Sequence, residues 1–185
     1  TSSLSTNPIV SPVATYRACD INAPTCAYFT HGILNLSLVR KLDYTTDAES
    51  LPGNDSTYNL QTGTGTQSNY FGYICGGFSP GPVSPASAIS SISKMDYNGD
   101  VLTIPGANLP EATQAMGNPG TTDQYSYMMG GVLAPGSFTN LTQRLDFSSD
   151  TCSLPGNNLP STYKDTRTIN TANYSFVVGN TGPAP

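Results

Sequence analysis

The sequence predicts an all-β protein built from a repeat of short antiparallel strands. Its motifs recur at an interval of about fifty residues, which is typical of repeat architectures. The 18 Gly and 15 Pro residues interrupt the chain at short intervals. No long segment has the 3.6-residue apolar period of an amphipathic helix. The length of 185 residues suits one domain, assigned to residues 1–185.

The clearest motif alternates apolar and polar residues and ends in an aspartate followed by an aromatic residue. This alternation is typical of a strand with one buried face. A Pro-Gly step follows each copy and ends the next short strand. The copies are Arg40–Tyr44, Ser93–Tyr97 and Gln143–Phe147, and the steps are Pro52-Gly53, Pro105-Gly106 and Pro155-Gly156.

A Tyr-rich run cut off by glycine precedes each copy and predicts a buried strand. Its copies are Tyr28–Gly32, Tyr73–Gly77, Tyr127–Gly131 and Phe176–Asn180. We take this run as the first of four strands in each unit. Asn98-Gly99 predicts a type I′ turn before the third strand, Val101–Ile104. A weaker fourth strand is expected around Ala112–Met116 and Thr162–Thr168.

The units then fall at about 27–69, 70–124 and 125–173, with a leading partial unit at 1–26 and a trailing strand at 174–185. Gly-Gly after a Tyr-rich strand, the Leu-Asp-Tyr strand and the Leu-Pro step resemble kelch-type β-propeller blades. They resemble more closely the repeats of tail-fibre and appendage proteins of marine and cyanobacterial phages. The resemblance covers roughly residues 14 to 180 and implies kelch-like propeller-type sheets of four short antiparallel strands. The kelch Trp is absent, and His31-Gly32 replaces one glycine pair.

Three full units and two partial ones fit a closed ring poorly, because closed propellers have four to eight blades. The two ends of one chain can combine into a fourth blade. Alternatively, a neighbouring chain completes the unfinished blade, and head-to-tail completion that does not close produces a filament.

Four cysteines lie at positions 19, 26, 75 and 152. Cys19 and Cys26 enclose a turn-forming hexapeptide, which predicts a local disulfide in an oxidising compartment. The alternative is two free, buried thiols. Cys75 and Cys152 are interpreted as packed small hydrophobic residues.

The chain offers few groups for catalysis, and we expect no catalytic residues and no cofactor. His31 is the single histidine, and its place at a strand end favours a turn residue. An Asp-aromatic-x-x-Asp pattern recurs in every unit, and Asp96, Asn98 and Asp100 are weak calcium candidates. The alternative is that the first aspartate caps backbone N–H groups and the second lies in the turn. No other metal site is expected.

Asn-x-Ser/Thr sequons and tyrosines are the remaining candidate sites. The sequons, at the frequency that chance predicts, are Asn35, Asn54, Asn140 and Asn173. Tyr70, Tyr125 and Tyr174 could stack on sugars, because tyrosine has an apolar face and a polar tip. The alternative is that these rings belong to the core.

The net charge of −5 without a basic cluster argues against nucleic acid and anionic membrane surfaces as partners. No apolar stretch is long enough for a membrane span. We therefore expect a non-enzymatic structural subunit of an extracellular or virion-surface fibre, with copies of itself as partners. The alternative is a carbohydrate-binding propeller module that contacts cell-surface glycans.

Overall fold

The computed structural model describes residues 19–30, 38–53, 60–79, 87–171 and 174–178. These ranges form short antiparallel strands joined by turns, and none of them contains a helix. The predicted all-β class is therefore confirmed.

The strands are, in chain order, β1 (Cys19–Asn22), β2 (Cys26–Thr30), β3 (Val39–Asp43), β4 (Glu49–Ser50), β5 (Thr64–Gln67), β6 (Phe71–Cys75), β7 (Phe78–Ser79), β8 (Ser87–Ala88), β9 (Ile92–Asp96), β10 (Val101–Thr103), β11 (Thr113–Gln114), β12 (Gly120–Thr121), β13 (Tyr125–Met129), β14 (Val132–Leu133), β15 (Ser137–Phe138), β16 (Thr142–Asp146), β17 (Thr151–Ser153), β18 (Arg167–Asn170) and β19 (Ser175–Val178).

Three sheets of four strands follow one another along the chain. Sheet one has the order β1-β2-β3-β4, sheet two β5-β6-β9-β10 and sheet three β12-β13-β16-β17. A two-stranded hairpin, β18-β19, comes last. The small sheets β7-β8 and β11-β14-β15 lie in the connections.

Each four-stranded sheet begins one strand earlier than the sequence motifs indicate. The Tyr-rich strand is the second strand, and β1, β5 or β12 precedes it. The expected fourth strand near Thr113 belongs instead to a small connecting sheet. Sequence reasoning missed β5 and β12 because Thr64–Gln67 and Gly120–Thr121 contain glycine and polar residues, without the apolar pattern of a strand.

The type I′ turn predicted at Asn98-Gly99 is wrong. Asp96 pairs with Val101, so the hairpin loop has four residues rather than two. Asp100, the last of them, has the positive φ of 53°, and neither Asn98 nor Gly99 does. A four-residue loop is built around a different turn, which needs left-handed backbone only at its last residue.

Two apolar clusters hold the sheets face to face. The first joins sheets one and two and contains Ile21, Tyr28, Ile74 and Met95, all fully buried. The second joins sheets two and three and consists of Tyr73, Cys75, Ile92, Leu109, Met116, Met128 and Leu145. Each sheet therefore stabilises its neighbours through apolar burial.

The recurring glycine pair ends the second strand, where the backbones approach too closely for a side chain. A Cβ on Gly76 would lie 2.3 Å from the carbonyl oxygen of Thr113, and one on Gly130 would lie 2.6 Å from that of Tyr163. Both glycines have positive φ, 60° and 69°. The pair is thus required by backbone geometry.

The close approach of sheets one and two at Gly65 gives a testable prediction. A Cβ there would lie 2.0 Å from the backbone oxygen of Asp20, so we expect Gly65→Ala to lower the free energy of unfolding by about 2 to 3 kcal/mol. Urea denaturation followed by circular dichroism measures the change. Gly99→Ala is the matched control, because its nearest contact is a movable Val101 methyl at 3.2 Å. Equal stability of Gly65→Ala and the native chain would contradict the packing described here.

Candidate functional site

Neighbouring sheets are joined through the loop between their third and fourth strands. The fourth residue of each loop is an aspartate in the left-handed region, with φ of 54° at Asp47, 53° at Asp100 and 56° at Asp150. Aspartate tolerates this conformation better than most residues do. At Asp100 and Asp150, the carboxylate bonds to side chains of the preceding sheet.

Asp100 binds two side chains of sheet one. The hydroxyl of Tyr28 donates a hydrogen bond to it, and Lys41 Nζ lies 2.8 and 2.9 Å from its two oxygens. Burial alone would raise the pKa of Asp100, but the hydrogen bonds from Lys41 and Tyr28 outweigh burial and lower it. Burial, followed by the bond to Asp100, raises the pKa of Tyr28, so this phenol stays protonated.

Asp150 repeats the same contact with sheet two. It accepts hydrogen bonds from Tyr73 Oη at 2.8 Å and from Lys94 Nζ at 2.6 Å. Beside each aspartate, the aromatic residue that starts the loop stacks on the same tyrosine of the preceding sheet. The ring centroids are 5.8 Å apart for Tyr28 and Tyr97, and 5.3 Å apart for Tyr73 and Phe147.

We call this unit the inter-sheet clamp: a tyrosine and a cation on one sheet, an aromatic residue and an aspartate on the next. The second aspartate of the Asp-aromatic-x-x-Asp pattern is therefore the clamp carboxylate, a role that sequence reasoning missed. The signal was present, since a tyrosine and a basic residue recur with the aspartate in every unit. Their separations of 72 and 77 residues hide the contact from local patterns.

Both ends of this series of clamps are open in the described part of the chain. On sheet three, Tyr127 and Arg144 occupy the tyrosine and cation positions, and neither forms an ion pair or hydrogen bond with a described carboxylate. The nearby Arg144 charge does contribute to lowering the pKa of Asp146 on the same strand, after the hydrogen bonds from Ser148. Arg144 Nε is buried without a hydrogen-bond partner. We call Tyr127 and Arg144 the Arg144 socket. On sheet one, Asp47 is exposed and forms no side-chain hydrogen bond or ion pair with a described residue. The loop Tyr44–Asp47 is the Asp47 turn.

The β18-β19 hairpin has the pairing of β1-β2 but lacks the cover that those strands have. Ile169 pairs with Phe176 as Ile21 pairs with Tyr28. Ile21 and Tyr28 are fully buried, whereas Ile169 is 59% exposed and Phe176 is 56% exposed. Val178 and Tyr174 are exposed as well, so one end of the described structure presents an apolar face.

The predicted disulfide between Cys19 and Cys26 does not form, and both residues are free and buried. Cys19 pairs with Thr30, four residues beyond Cys26 on the opposite strand. At about 3.3 Å per residue this separates the two cysteines by roughly 13 Å. That distance is about twice what a disulfide spans. Burial raises the pKa of Cys19 to about 12, so this thiol is protonated at neutral pH.

The calcium candidates are engaged in other contacts. Asp96 accepts a hydrogen bond from the backbone N–H of Asn98, and Asp100 is bound to Lys41. Asp43 and Asp146 cap their own loops in the same way as Asp96, and these backbone hydrogen bonds lower the pKa of Asp43. No group of three metal-binding side chains occurs within the described ranges.

Of the proposed sugar-stacking residues, Tyr70 and Tyr125 line one groove of about 450 Å³, together with Phe71 and Phe147. Tyr70 is 72% exposed. The Arg144 guanidinium lies 4.8 Å from the centroid of the Tyr125 ring and covers part of it. Tyr174 lies on the hairpin, away from this groove.

Among the sequons, only Asn140 falls within the described residues. Its side-chain nitrogen donates a hydrogen bond to the carbonyl oxygen of Leu159 at 2.9 Å. This is the atom that would carry a glycan, so the contact disfavours glycosylation there. Asn35, Asn54, Asn173 and His31 lie outside the described residues.

A polar cavity of about 290 Å³ lies where the first strands of the three sheets and the hairpin meet. Its lining includes Asp20 from β1, Gln67 from β5, Thr121 from β12 and Arg167 from β18. The sheets are therefore arranged with their first strands around one opening.

These observations define a repeat protein of stacked four-stranded antiparallel sheets. Among solved structures, the one titled "Structure of YjhT" matches with a TM-score of 0.74 and 13% sequence identity. The match covers 90% of this chain and 58% of that chain, so the present chain spans little more than half its length. At this identity the likeness concerns the fold. Neither a protein-family model nor a curated protein matches the sequence. No described segment forms a helix able to cross a membrane.

The inter-sheet clamp gives a second prediction, with its control inside the same chain. We expect Asp100→Asn and Asp150→Asn each to lower the free energy of unfolding by about 1 to 3 kcal/mol, because a charged acceptor of a buried phenol is lost. Asn tolerates the left-handed backbone, so the change isolates the carboxylate. The matched control, Asp47→Asn, should change the free energy of unfolding of the monomer by less than about 0.5 kcal/mol. Urea denaturation of monomeric protein measures all three, and equal losses at the three positions would argue against the clamp.

Proposed function

We propose that this chain is a non-enzymatic structural subunit of an extracellular or virion-associated fibre. Copies assemble head to tail, and each completes the unfinished sheet of its neighbour. The extracellular or virion location rests on the resemblance to phage appendage repeats. The sheets packed face to face, with their first strands around one cavity, support a propeller-like arrangement of blades.

The observation that carries the proposal is the β18-β19 hairpin, which has two described strands where sheets one, two and three each have four. Within the described residues, β19 pairs with β18 alone, and no described strand covers its other edge. Such an edge readily adds a strand from another chain. The exposed side chains of Ile169 and Phe176 supply apolar area for the same contact.

Head-to-tail assembly fits the positions of the two incomplete ends of the described structure, because they lie at opposite ends of the series of sheets. The hairpin and the Arg144 socket lie at the C-terminal end of the series, and the Asp47 turn belongs to sheet one at the other end. A contact between two different surfaces that does not close on itself generates a filament.

A charge placed in the apolar face of the hairpin tests the assembly. We expect Phe176→Asp to abolish filaments in negative-stain micrographs and to shift the protein to monomers in sedimentation velocity, since a buried unpaired carboxylate is costly. Ile104→Asp is the control, because Ile104 is 41% exposed but follows the last strand of a complete sheet. A native chain that stays monomeric at all concentrations would contradict the proposal.

The groove that contains Tyr70 and Tyr125 favours a second candidate function, which is binding of cell-surface carbohydrate. Tyr70 presents a largely exposed ring, and Asp123, Gln124 and Asp146 provide polar groups beside it. Sugars are bound by aromatic rings that stack on their C–H faces, together with polar side chains that accept hydrogen bonds from their hydroxyl groups.

A glycan array tests this second function directly. We expect Tyr70→Ala to raise the dissociation constant for a bound glycan about tenfold or more, because truncation of a central aromatic contact has an effect of this size. Tyr174→Ala is the matched control, because Tyr174 is 70% exposed but lies outside the groove. Absence of any bound glycan, or equal loss in both variants, would overturn the proposal.

A further inference from the structure

We propose that an extended, uncharged oligosaccharide binds along one end of the sheets, through three adjoining cavities. The inference rests on the carbohydrate-binding function proposed above and names the class of ligand that the site takes. The groove of about 450 Å³ that contains Tyr70 and Tyr125, here called the Tyr70 groove, holds one end of the ligand. The polar cavity of about 290 Å³ between the first strands holds the other end.

A third cavity, which we call the middle cavity, connects the other two. It measures about 430 Å³ and lies where the loops that follow β5, β12 and β18 meet. Three of its lining residues also line the Tyr70 groove, namely Ser68, Asn69 and Asp123. Three others also line the polar cavity, namely Gln67, Thr121 and Asn170. Sites for small molecules measure about 300 to 1,000 Å³, so this continuous path has room for a chain of sugars.

The same hydrogen bond fixes the three loops that line the middle cavity. The hydroxyl oxygens of Ser68, Thr122 and Thr171 each accept a hydrogen bond from the backbone N–H of the residue three positions later. The three N···O distances are 3.1, 3.0 and 3.0 Å. Because the loops are held in place before a ligand binds, less conformational freedom is lost on binding.

The lining provides groups that suit the hydroxyls of a sugar. Within the described part of the chain, the side chains of Gln67, Asn69 and Gln124 line these cavities without a hydrogen bond to another residue. An amide side chain both donates and accepts hydrogen bonds, and a sugar hydroxyl does the same. Beside them, the ring of Tyr70 is 72% exposed and offers a face on which a sugar ring can stack.

The charges along the path favour an uncharged ligand. Asp123 and Asp146 line the Tyr70 groove, and no basic residue is among the described residues that line this groove or the middle cavity. Lys94 and Arg144 lie over aromatic rings of the groove and do not line it. The polar cavity adds two acidic residues and one basic residue, Asp20, Asp165 and Arg167. A sulfated or sialylated chain therefore meets like charges, which weaken its binding.

The length and charge of the ligand test the inference in the full chain. An array carries chains of glucose, galactose, mannose and N-acetylglucosamine, each from one to six sugars long, beside sulfated and sialylated chains. For at least one uncharged series, we expect the dissociation constant to fall at least tenfold from one sugar to four, since each added sugar gains hydrogen bonds. Sulfated chains of the same sugar should bind at least tenfold more weakly.

Three substitutions, measured by isothermal titration calorimetry, locate the ligand. Tyr70→Ala should raise the dissociation constant for every chain length about tenfold. Gln67→Ala changes only the middle and polar cavities, so it should raise the dissociation constant for the six-sugar chain about threefold or more and that for the disaccharide less than about twofold. Asn157→Ala is the matched control, because Asn157 is exposed and lines none of the three cavities.

The outcomes separate the extended site from the sugar-binding function on which it rests. Equal affinity for one sugar and for the longest chain overturns the extended site and leaves sugar binding at the Tyr70 groove standing. Native affinity of Gln67→Ala for the six-sugar chain, or an equal loss for both chain lengths, also overturns it. Tighter binding of sulfated or sialylated chains overturns the uncharged ligand. Absence of binding to every chain overturns both proposals.

Discussion

The structure depends on a carboxylate placed between two sheets. Asp100 and Asp150 each accept hydrogen bonds from a tyrosine and a lysine that lie more than fifty residues earlier in the chain. A partly buried charge is tolerated when its partners are fixed and its hydrogen bonds are complete. The left-handed loop residue fixes the carboxylate, and the second and third strands of the preceding sheet fix its donors.

This arrangement makes every sheet depend on its neighbours. Tyr28 is fully buried only because sheet two covers it, through the stacked ring of Tyr97 and the carboxylate of Asp100. Repeat proteins built on nearest-neighbour contacts normally end in polar capping units. Here the last described strands present Phe176 and Ile169 to solvent, so the described part of the chain ends without such a polar cap.

The sequence predicted what is local and missed what is distant. The Arg40–Tyr44 alternation and its two copies correctly predicted strands β3, β9 and β16, because burial of one face leaves a period of two. The sequence did not reveal which strand begins each sheet. The first strand of sheet two, β5, packs through Gly65, whose close contact is with the backbone of Asp20, so no apolar pattern marks this strand. The cysteine pair was misjudged because spacing alone ignores register, which places Cys19 opposite Thr30.

The basic residue of the clamp is lysine on sheets one and two and arginine on sheet three. Lys41 and Lys94 meet aspartates of their own chain, whereas the third position is Arg144. An ammonium group is a compact, strongly hydrated charge, while guanidinium is planar, weakly hydrated and able to bind a carboxylate with two parallel hydrogen bonds. Arginine is also the basic residue enriched at contacts between chains. Within the described residues, Arg144 stacks on Tyr125 and forms no ion pair, so the series of complete clamps ends where arginine stands in place of lysine.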